Sequence, residues 1–263
     1  MEYLSTISVY TPVKAILMDF DGTISTLRYG WEEVMRPLML EKIGQGTVSD
    51  ELRQEVDTYI DESTGIQTIF QMKWLDARVQ RGGGAAVDPW QYKAEYNRRL
   101  MERVDARKKA LLSGQAKPEE YLIAGSIKFL SALRSQGVRV YIASGTDHPD
   151  VVAEADALGL LPYFKEIAGA PPEKENCSKE AVLRRLMNSH ELIGDELAVI
   201  GDGKVEISLG KESRARTLGI ASDERKRCGV NEEKRKRLIK AGADTLCGDF
   251  SDTGEILAWL GLA

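Results

Sequence analysis

Two aspartates one residue apart, Asp19 and Asp21, lie in the run Asp19-Phe20-Asp21-Gly22-Thr23 at the end of an apolar stretch. Two further polar runs, Ser144-Gly145-Thr146-Asp147 and Gly201-Asp202-Gly203-Lys204-Val205-Glu206, also follow short apolar stretches. Clustered carboxylates repel one another, and a hard divalent cation relieves the repulsion. Mg2+ takes a few carboxylates and keeps its other positions for water and phosphate oxygens. A carboxylate beside such an ion, with backbone amides and a lysine nearby, suits phosphoryl transfer through an acyl-phosphate. The phosphoryl oxygens need donors, which Ser144 and the Gly145 amide can supply. A cationic partner is expected too: Lys179, in the first turn of a helix, comes first and Lys174 second.

Bringing these runs together requires a sheet whose strands all end at one edge. Val13 to Phe20 (interrupted only by Lys14), Val138 to Ala143, Leu197 to Ile200 and Thr217 to Ile220 are short apolar runs of the kind that form buried parallel strands. Helical patterns separate them. Pro118 to Gln136 carries Ile123, Ile127, Leu130 and Leu133 at helical spacing, with Gly137 as its C-terminal glycine. Ser178 to Ser189 opens on an N-cap and places Leu183, Leu186 and Met187 on one side. The alternation from about Glu120 onward predicts an α/β fold with a doubly wound, mainly parallel sheet, a Rossmann-like core. Such sheets bind ligands beyond the carboxyl ends of their strands, where all three polar runs fall.

Trp31 to Leu112 has no strand signal. Leu52, Val56 and Ile60 recur every four residues, as do Ile66, Phe70 and Trp74, and Asp88-Pro89-Trp90-Gln91 is a helix opening. Gly82-Gly83-Gly84 reads as a loop between helices. An all-helical module is therefore expected after the first strand. Residues 1–27 and 114–263 would form the α/β core and residues 28–113 the module, with Phe70 and Trp74 in its interior. Arg28, Gln67, Gln71, Lys73, Arg78 and Arg81 are polar candidates for substrate contact that sequence cannot rank.

Composition narrows the remaining classes. The chain has 263 residues and a formal charge of −5, with 43% hydrophobic and 29% charged residues, as in ordinary globular proteins. The acidic balance argues against nucleic acid as a partner bound by bulk charge. No apolar run approaches the roughly 20 residues needed to cross a bilayer, and Met1 to Val13 has no signal-like apolar stretch. Three scattered cysteines fit a reducing, cytoplasmic compartment better than a disulfide framework or zinc site.

Taken in order, the motifs resemble those of the haloacid dehalogenase superfamily, mainly its phosphatases. The first is matched by Asp19-Phe20-Asp21-Gly22-Thr23, the second by Ser144-Gly145-Thr146, the third by Lys179 and the fourth by Ile200-Gly201-Asp202-Gly203-Lys204-Val205-Glu206. Leu158 to Phe164 resembles the stretch that leads such proteins into their third strand. The resemblance implies Asp19 as nucleophile, Asp21 as acid and base, and a Mg2+ ion held by Asp19, the Asp21 carbonyl and Asp202. It also implies Ser144, Gly145 and Lys179 as phosphate-binding groups and the helical module as a C1 cap closing over the site. Asp21 favours phosphate esters, because dehalogenating and phosphonate-cleaving relatives lack an acid there. Glu206 stands where many relatives carry aspartate, as a metal ligand, a group behind the ligands, or a charge favouring the next helix N-terminus.

The function implied is Mg2+-dependent hydrolysis of a small phosphorylated metabolite, phosphosugars first. The alternatives are a phosphomutase of the β-phosphoglucomutase type and, from another class, a catalytically silent binding scaffold. Blander readings attach to other residues. His148 is read as part of a first helical turn and Cys177 as incidental. Asp223 to Lys240, with eight basic residues against four acidic, is read as a solvated helix face, because no aromatics interleave the charges.

Overall fold

The computed structural model describes residues 1–5, 11–171, 179–190 and 194–262. β1 (Glu2–Tyr3) and β2 (Ala15–Met18) precede four helices: α1 (Glu32–Gly44), α2 (Asp50–Glu62), α3 (Thr68–Arg81) and α4 (Pro89–Leu112). The rest alternates through α5 (Ser126–Ser135), β3 (Arg139–Asp147), α6 (His148–Ala157), β4 (Glu166–Ala170), α7 (Lys179–His190) and β5 (Leu197–Gly201). It closes with α8 (Lys204–Glu212), β6 (Arg216–Ile220), α9 (Glu232–Lys240), β7 (Thr245–Cys247) and α10 (Thr253–Trp259). Among the described residues the strands form one sheet in the order β1-β7-β6-β5-β2-β3-β4, parallel throughout except for β1 against β7.

The period of two along each strand builds two apolar layers. Ile16 and Met18 join Val140, Ile142, Ala198 and Ile200 in a cluster closed by Phe129 and Leu133 of α5, Val151 of α6 and Ile256 of α10. Their neighbours Ala15 and Leu17 join Tyr141, Leu197 and Val199 in a second cluster, closed by Val182 and Leu183 of α7. Helices thus cover both faces, and β2 is buried along its whole length. From β2 the chain turns to β3 and β4 on one side, then crosses to β5, β6 and β7 on the other. Such a switch in strand order leaves a crevice at the carboxyl ends of β2 and β5.

α1 to α4 share their own apolar cluster, which includes Met35, Leu38, Val56, Met72, Leu75, Tyr96 and Val104. Trp74 stacks on Tyr59 at a ring-centroid distance of 3.8 Å, whereas Phe70 is 40% exposed and lies outside that interior, contrary to expectation. Among the described residues no helix is long and apolar enough to cross a membrane.

The predicted helix from Pro118 to Gln136 divides in two, a short helical turn at Pro118–Tyr121 and α5 from Ser126. Gly125 makes the break, with φ of 78°, and a Cβ there would lie 2.4 Å from the Phe250 carbonyl. The backbone approach overrides the apolar periodicity. β1 and β7 carry no strand signal because they are two and three residues long and neither is a continuous apolar run, whereas β4 begins two residues after Phe164, where the resemblance leads into a third strand. Lys174, Cys177 and the N-cap Ser178 lie outside the described residues.

Candidate active site

Asp19 follows the last residue of β2, and its amide donates to the Ile200 carbonyl of β5 at 2.9 Å, which fixes it at the crevice. Its Oδ1 accepts from the Phe20 amide at 2.9 Å, and its Oδ2 lies 2.8 Å from Lys179 Nζ. Lys179, the first residue of α7, also donates to Glu206 Oε2 at 3.0 Å. Burial drives the Asp19 carboxyl well above the usual carboxylate range, against the pull of the Lys179 ammonium. Burial alone would lower the Lys179 pKa, but Asp19 and Glu206 more than reverse this and keep it cationic.

Glu206 sits in the first turn of α8, and its Oε1 accepts from the Gly203 amide at 2.6 Å. Gly201 allows this fold-back, since a Cβ there would lie 2.4 Å from Glu206 Cγ and Oε1. Asp19, Asp202 and Glu206 offer carboxylate oxygens within 4.8 Å of one another, and all three are buried. Only two lysines, Lys179 and Lys234, form ion pairs with this buried group in the described structure. Hard, anionic and short of compensating charge, the donor set fits a divalent cation. Both oxygens of each carboxylate already meet a protein donor, at 3.0 Å or less for Asp19 and Glu206, whereas Asp202 Oδ1 has the Thr23 hydroxyl only at 3.3 Å.

Asp21 lies beside Asp19 and is held from the second polar run. Thr146 Oγ1 donates to its Oδ2 at 2.8 Å, and Ser144 Oγ approaches the same oxygen at 3.4 Å. Asp21 Oδ1 is buried and has no hydrogen-bond partner among the described residues. Burial raises the Asp21 pKa, opposed by the Arg28 charge and the Thr146 hydroxyl. Arg28 is anchored by Glu154, with Nη2 2.6 Å from Oε1 and Nε within 3.2 Å of both oxygens. Buried Glu154 has its pKa pushed up to about 7, burial outweighing the attraction of Arg28.

The helical insertion forms the far wall of the cleft. Trp31, Thr68, Gln71, Tyr96 and Leu100 line it, with the loop 64–66. Gly145 permits close approach of that loop: a Cβ there would meet the Ile66 carbonyl at 2.9 Å. Lys93 and Asn97 of α4 reach Asp147 at the end of β3, at 2.5 and 3.2 Å. Arg237 of α9 pairs with Asp61 of α2 at 2.7 Å. Of the polar candidates in the insertion, Arg28 and Gln71 line the cleft. Gln67 is buried with neither amide atom partnered among the described residues, and Lys73, Arg78 and Arg81 do not line the cleft.

Asp19, Asp21, Ser144, Gly145, Lys179 and Asp202 all line one cleft, with Glu206 behind Lys179. His148 is the first residue of α6, and its Nδ1 accepts from the Gly169 amide at 3.4 Å. Thr146, Asp147 and Lys93 carried no prediction. Thr146 and Asp147 were legible only as neighbours of Ser144, and Lys93 is one charge among many on α4. The reading of Asp223 to Lys240 as a solvated face holds for Arg225, Lys226, Lys236 and Lys240, which are exposed, but not for Lys234, which is 9% exposed with its Nζ 2.7 Å from Asp202 Oδ2 and 2.6 Å from Glu224 Oε1. Lys234 shares the buried stripe of α9 with Leu238, one helical turn on, so burial and not solvation sets its role.

No curated protein matches the chain significantly. Solved structures do. A predicted phosphatase from Clostridium acetobutylicum is 16% identical, with a TM-score of 0.62 over 95% of this chain and 100% of its own. A predicted phosphoglycolate phosphatase from Haemophilus somnus is 15% identical, with a TM-score of 0.63 over 93% and 97%. A β-phosphoglucomutase from Clostridium difficile is 15% identical, with a TM-score of 0.59 over 95% and 97%. At these identities the likeness is one of fold. The family model for haloacid dehalogenase-like hydrolases matches residues 13–214, most of the chain and all three polar runs. The chain therefore belongs to the haloacid dehalogenase-like hydrolases.

Proposed function

We propose that the chain is a Mg2+-dependent phosphatase that hydrolyses a small phosphorylated metabolite, phosphosugar-like, through a phosphoaspartate on Asp19. The observation that carries this reading is the pairing of Asp19, held by Lys179, with Asp21, whose Oδ1 is buried in the same cleft and unpartnered among the described residues. Asp19 attacks phosphorus and the ester P–O bond breaks. Asp21, whose pKa burial raises, passes a proton to the leaving oxygen. As a carboxylate it then takes a proton from water, which attacks the phosphoaspartate, releases phosphate and restores Asp19. Lys179, Ser144 and the Gly145 amide supply donors to the phosphoryl oxygens. Mg2+, held by Asp19, the Asp21 carbonyl and Asp202, would neutralise charge on the phosphoryl group. Glu206 orients Lys179.

In this reading residues 1–27 and 114–263 are the catalytic core and residues 28–113 a lid. The separate apolar cluster of α1 to α4 supports that division, as do the ion pairs Lys93–Asp147 and Asp61–Arg237 across the cleft. The enclosed wall of Trp31, Tyr96 and Leu100 suits a small substrate better than a phosphate borne on a protein. The test is phosphate release from an aryl phosphate, then from a panel of sugar phosphates, with Mg2+ and with chelator, beside Asp19→Asn. Release that needs Mg2+ and is lost in the variant is the expected result. No release under any metal condition overturns the reading, and phosphate retained in a rearranged sugar phosphate replaces it with a phosphomutase.

A further inference from the structure

Lys234 lies beyond the residues matched by the family model, on a helix rich in exposed charges, yet it is buried against the acidic cluster. Its ammonium is held by three oxygens: Asp202 Oδ2 at 2.7 Å, Glu224 Oε1 at 2.6 Å and Ser222 Oγ at 3.2 Å. Ser222 Oγ in turn donates to the Gly22 carbonyl at 2.5 Å, which ties this group to the loop carrying Asp19 and Asp21. Gly22 makes room for it. A Cβ there would fall 2.3 Å from Asp202 Oδ2 and 3.0 Å from Lys234 Nζ. One Asp202 oxygen is therefore committed to an ammonium, and a second, half-buried carboxylate, Glu224, is neutralised beside it. Among the described residues the other Asp202 oxygen meets only the Thr23 hydroxyl, at 3.3 Å.

We propose that Lys234 is a positioning residue that restricts Asp202 to one-oxygen binding of the divalent cation and keeps Glu224 from joining it. This rests on the reading of Asp202 as a metal ligand. Mg2+ favours single oxygens in octahedral array, so an Asp202 that could chelate with both oxygens, or a Glu224 free to bind, would hold the ion more tightly but out of place. Loss of Lys234 then moves affinity and turnover in opposite directions. A residue that only supported the fold would not do this.

The double variant Lys234→Met with Glu224→Gln removes the ammonium and its second carboxylate together, so no member of that pair is left as a buried unpaired charge. Two quantities are read on the full chain: the Mg2+ concentration giving half of the metal-dependent rise in Tm without substrate, and kcat on an aryl phosphate at saturating Mg2+. The expected result is a half-saturating Mg2+ concentration lowered about threefold or more, kcat lowered about tenfold, and KM within about twofold of wild type. Lys234→Arg, which keeps the cation, stays near wild type in Mg2+ affinity. A lower Tm with unchanged Mg2+ affinity and kcat overturns the proposal, as does weaker Mg2+ binding. Asp202→Asn abolishes the Mg2+-dependent rise in Tm; if the rise persists, Asp202 is not the ligand and the proposal fails. Should the wild type release no phosphate, the phosphatase reading falls, while the substrate-free Mg2+ titrations still decide the role of Lys234.

Discussion

Lys179 and Lys234 serve the same acidic cluster from opposite kinds of sequence. Each is a buried ammonium between two carboxylates: Asp19 and Glu206 for Lys179, Asp202 and Glu224 for Lys234. For each, burial favours the neutral amine and the paired carboxylates outweigh it. They differ in what they touch. Lys179 contacts the proposed nucleophile, whereas Lys234 reaches the reaction only through Asp202. They differ also in setting: Lys179 opens an amphipathic helix next to the sheet, and Lys234 is one of five basic residues within nine on α9. Charge density along a helix therefore says little about any one of its charges. A lysine i−4 from a buried leucine faces inward whatever its neighbours do.

The comparison can be tested at several strengths. Asp19→Asn, on the Lys179 side, has the largest effect, a loss of phosphate release of roughly a thousandfold or more, measured by single-turnover assay. Lys179→Met follows, with kcat down about a hundredfold because in the proposed reaction the lost donor serves the phosphoryl group. Against it, Lys234→Met lowers kcat by only about tenfold, although each substitution destabilises the fold by roughly 3–5 kcal/mol through the carboxylates left unpaired. Equal losses of kcat would erase the distinction between the two lysines.

Glu154 supplies a pH-dependent test away from both lysines. Its folded pKa is raised from 4.5 to about 7, so the protonated form is favoured in the folded state. Its contribution to stability is full below pH 4.5 and is lost as pH rises through about 7. Tm falls across that interval in the wild type, and Glu154→Gln flattens the fall. A slope unchanged by the substitution would mean that Arg28 keeps Glu154 ionised throughout. The smallest effect is expected at the insertion: Lys93→Met takes the ammonium from Asp147, leaves it the Asn97 amide, and raises KM about two- to fivefold, with kcat little changed.

How far the sequence reaches depends on how local the cause is. The central strands β2, β5 and β6 were legible because strands buried on both faces must be continuously apolar. The polar runs at the ends of β2, β3 and β5 placed Asp19, Asp21, Ser144, Gly145 and Asp202 at one edge, since a parallel sheet leaves its carboxyl ends together, and Lys179 was expected there as a cationic partner. The break at Gly125 was not legible. It is set by the Phe250 backbone, which lies 125 residues away in the chain and leaves no local trace.

The chain by itself thus determined the fold class and the chemistry of the carboxyl edge, because hydrophobic period and motif order act over a few residues. Tertiary structure alone decided which oxygens are already taken. Glu206 is committed to Lys179 and Gly203, Asp202 gives Oδ2 to Lys234, and Asp21 is gripped by Thr146. The reason is physical. A buried carboxylate takes whatever donor the fold brings within about 3 Å, and that distance is set by packing between elements far apart in sequence.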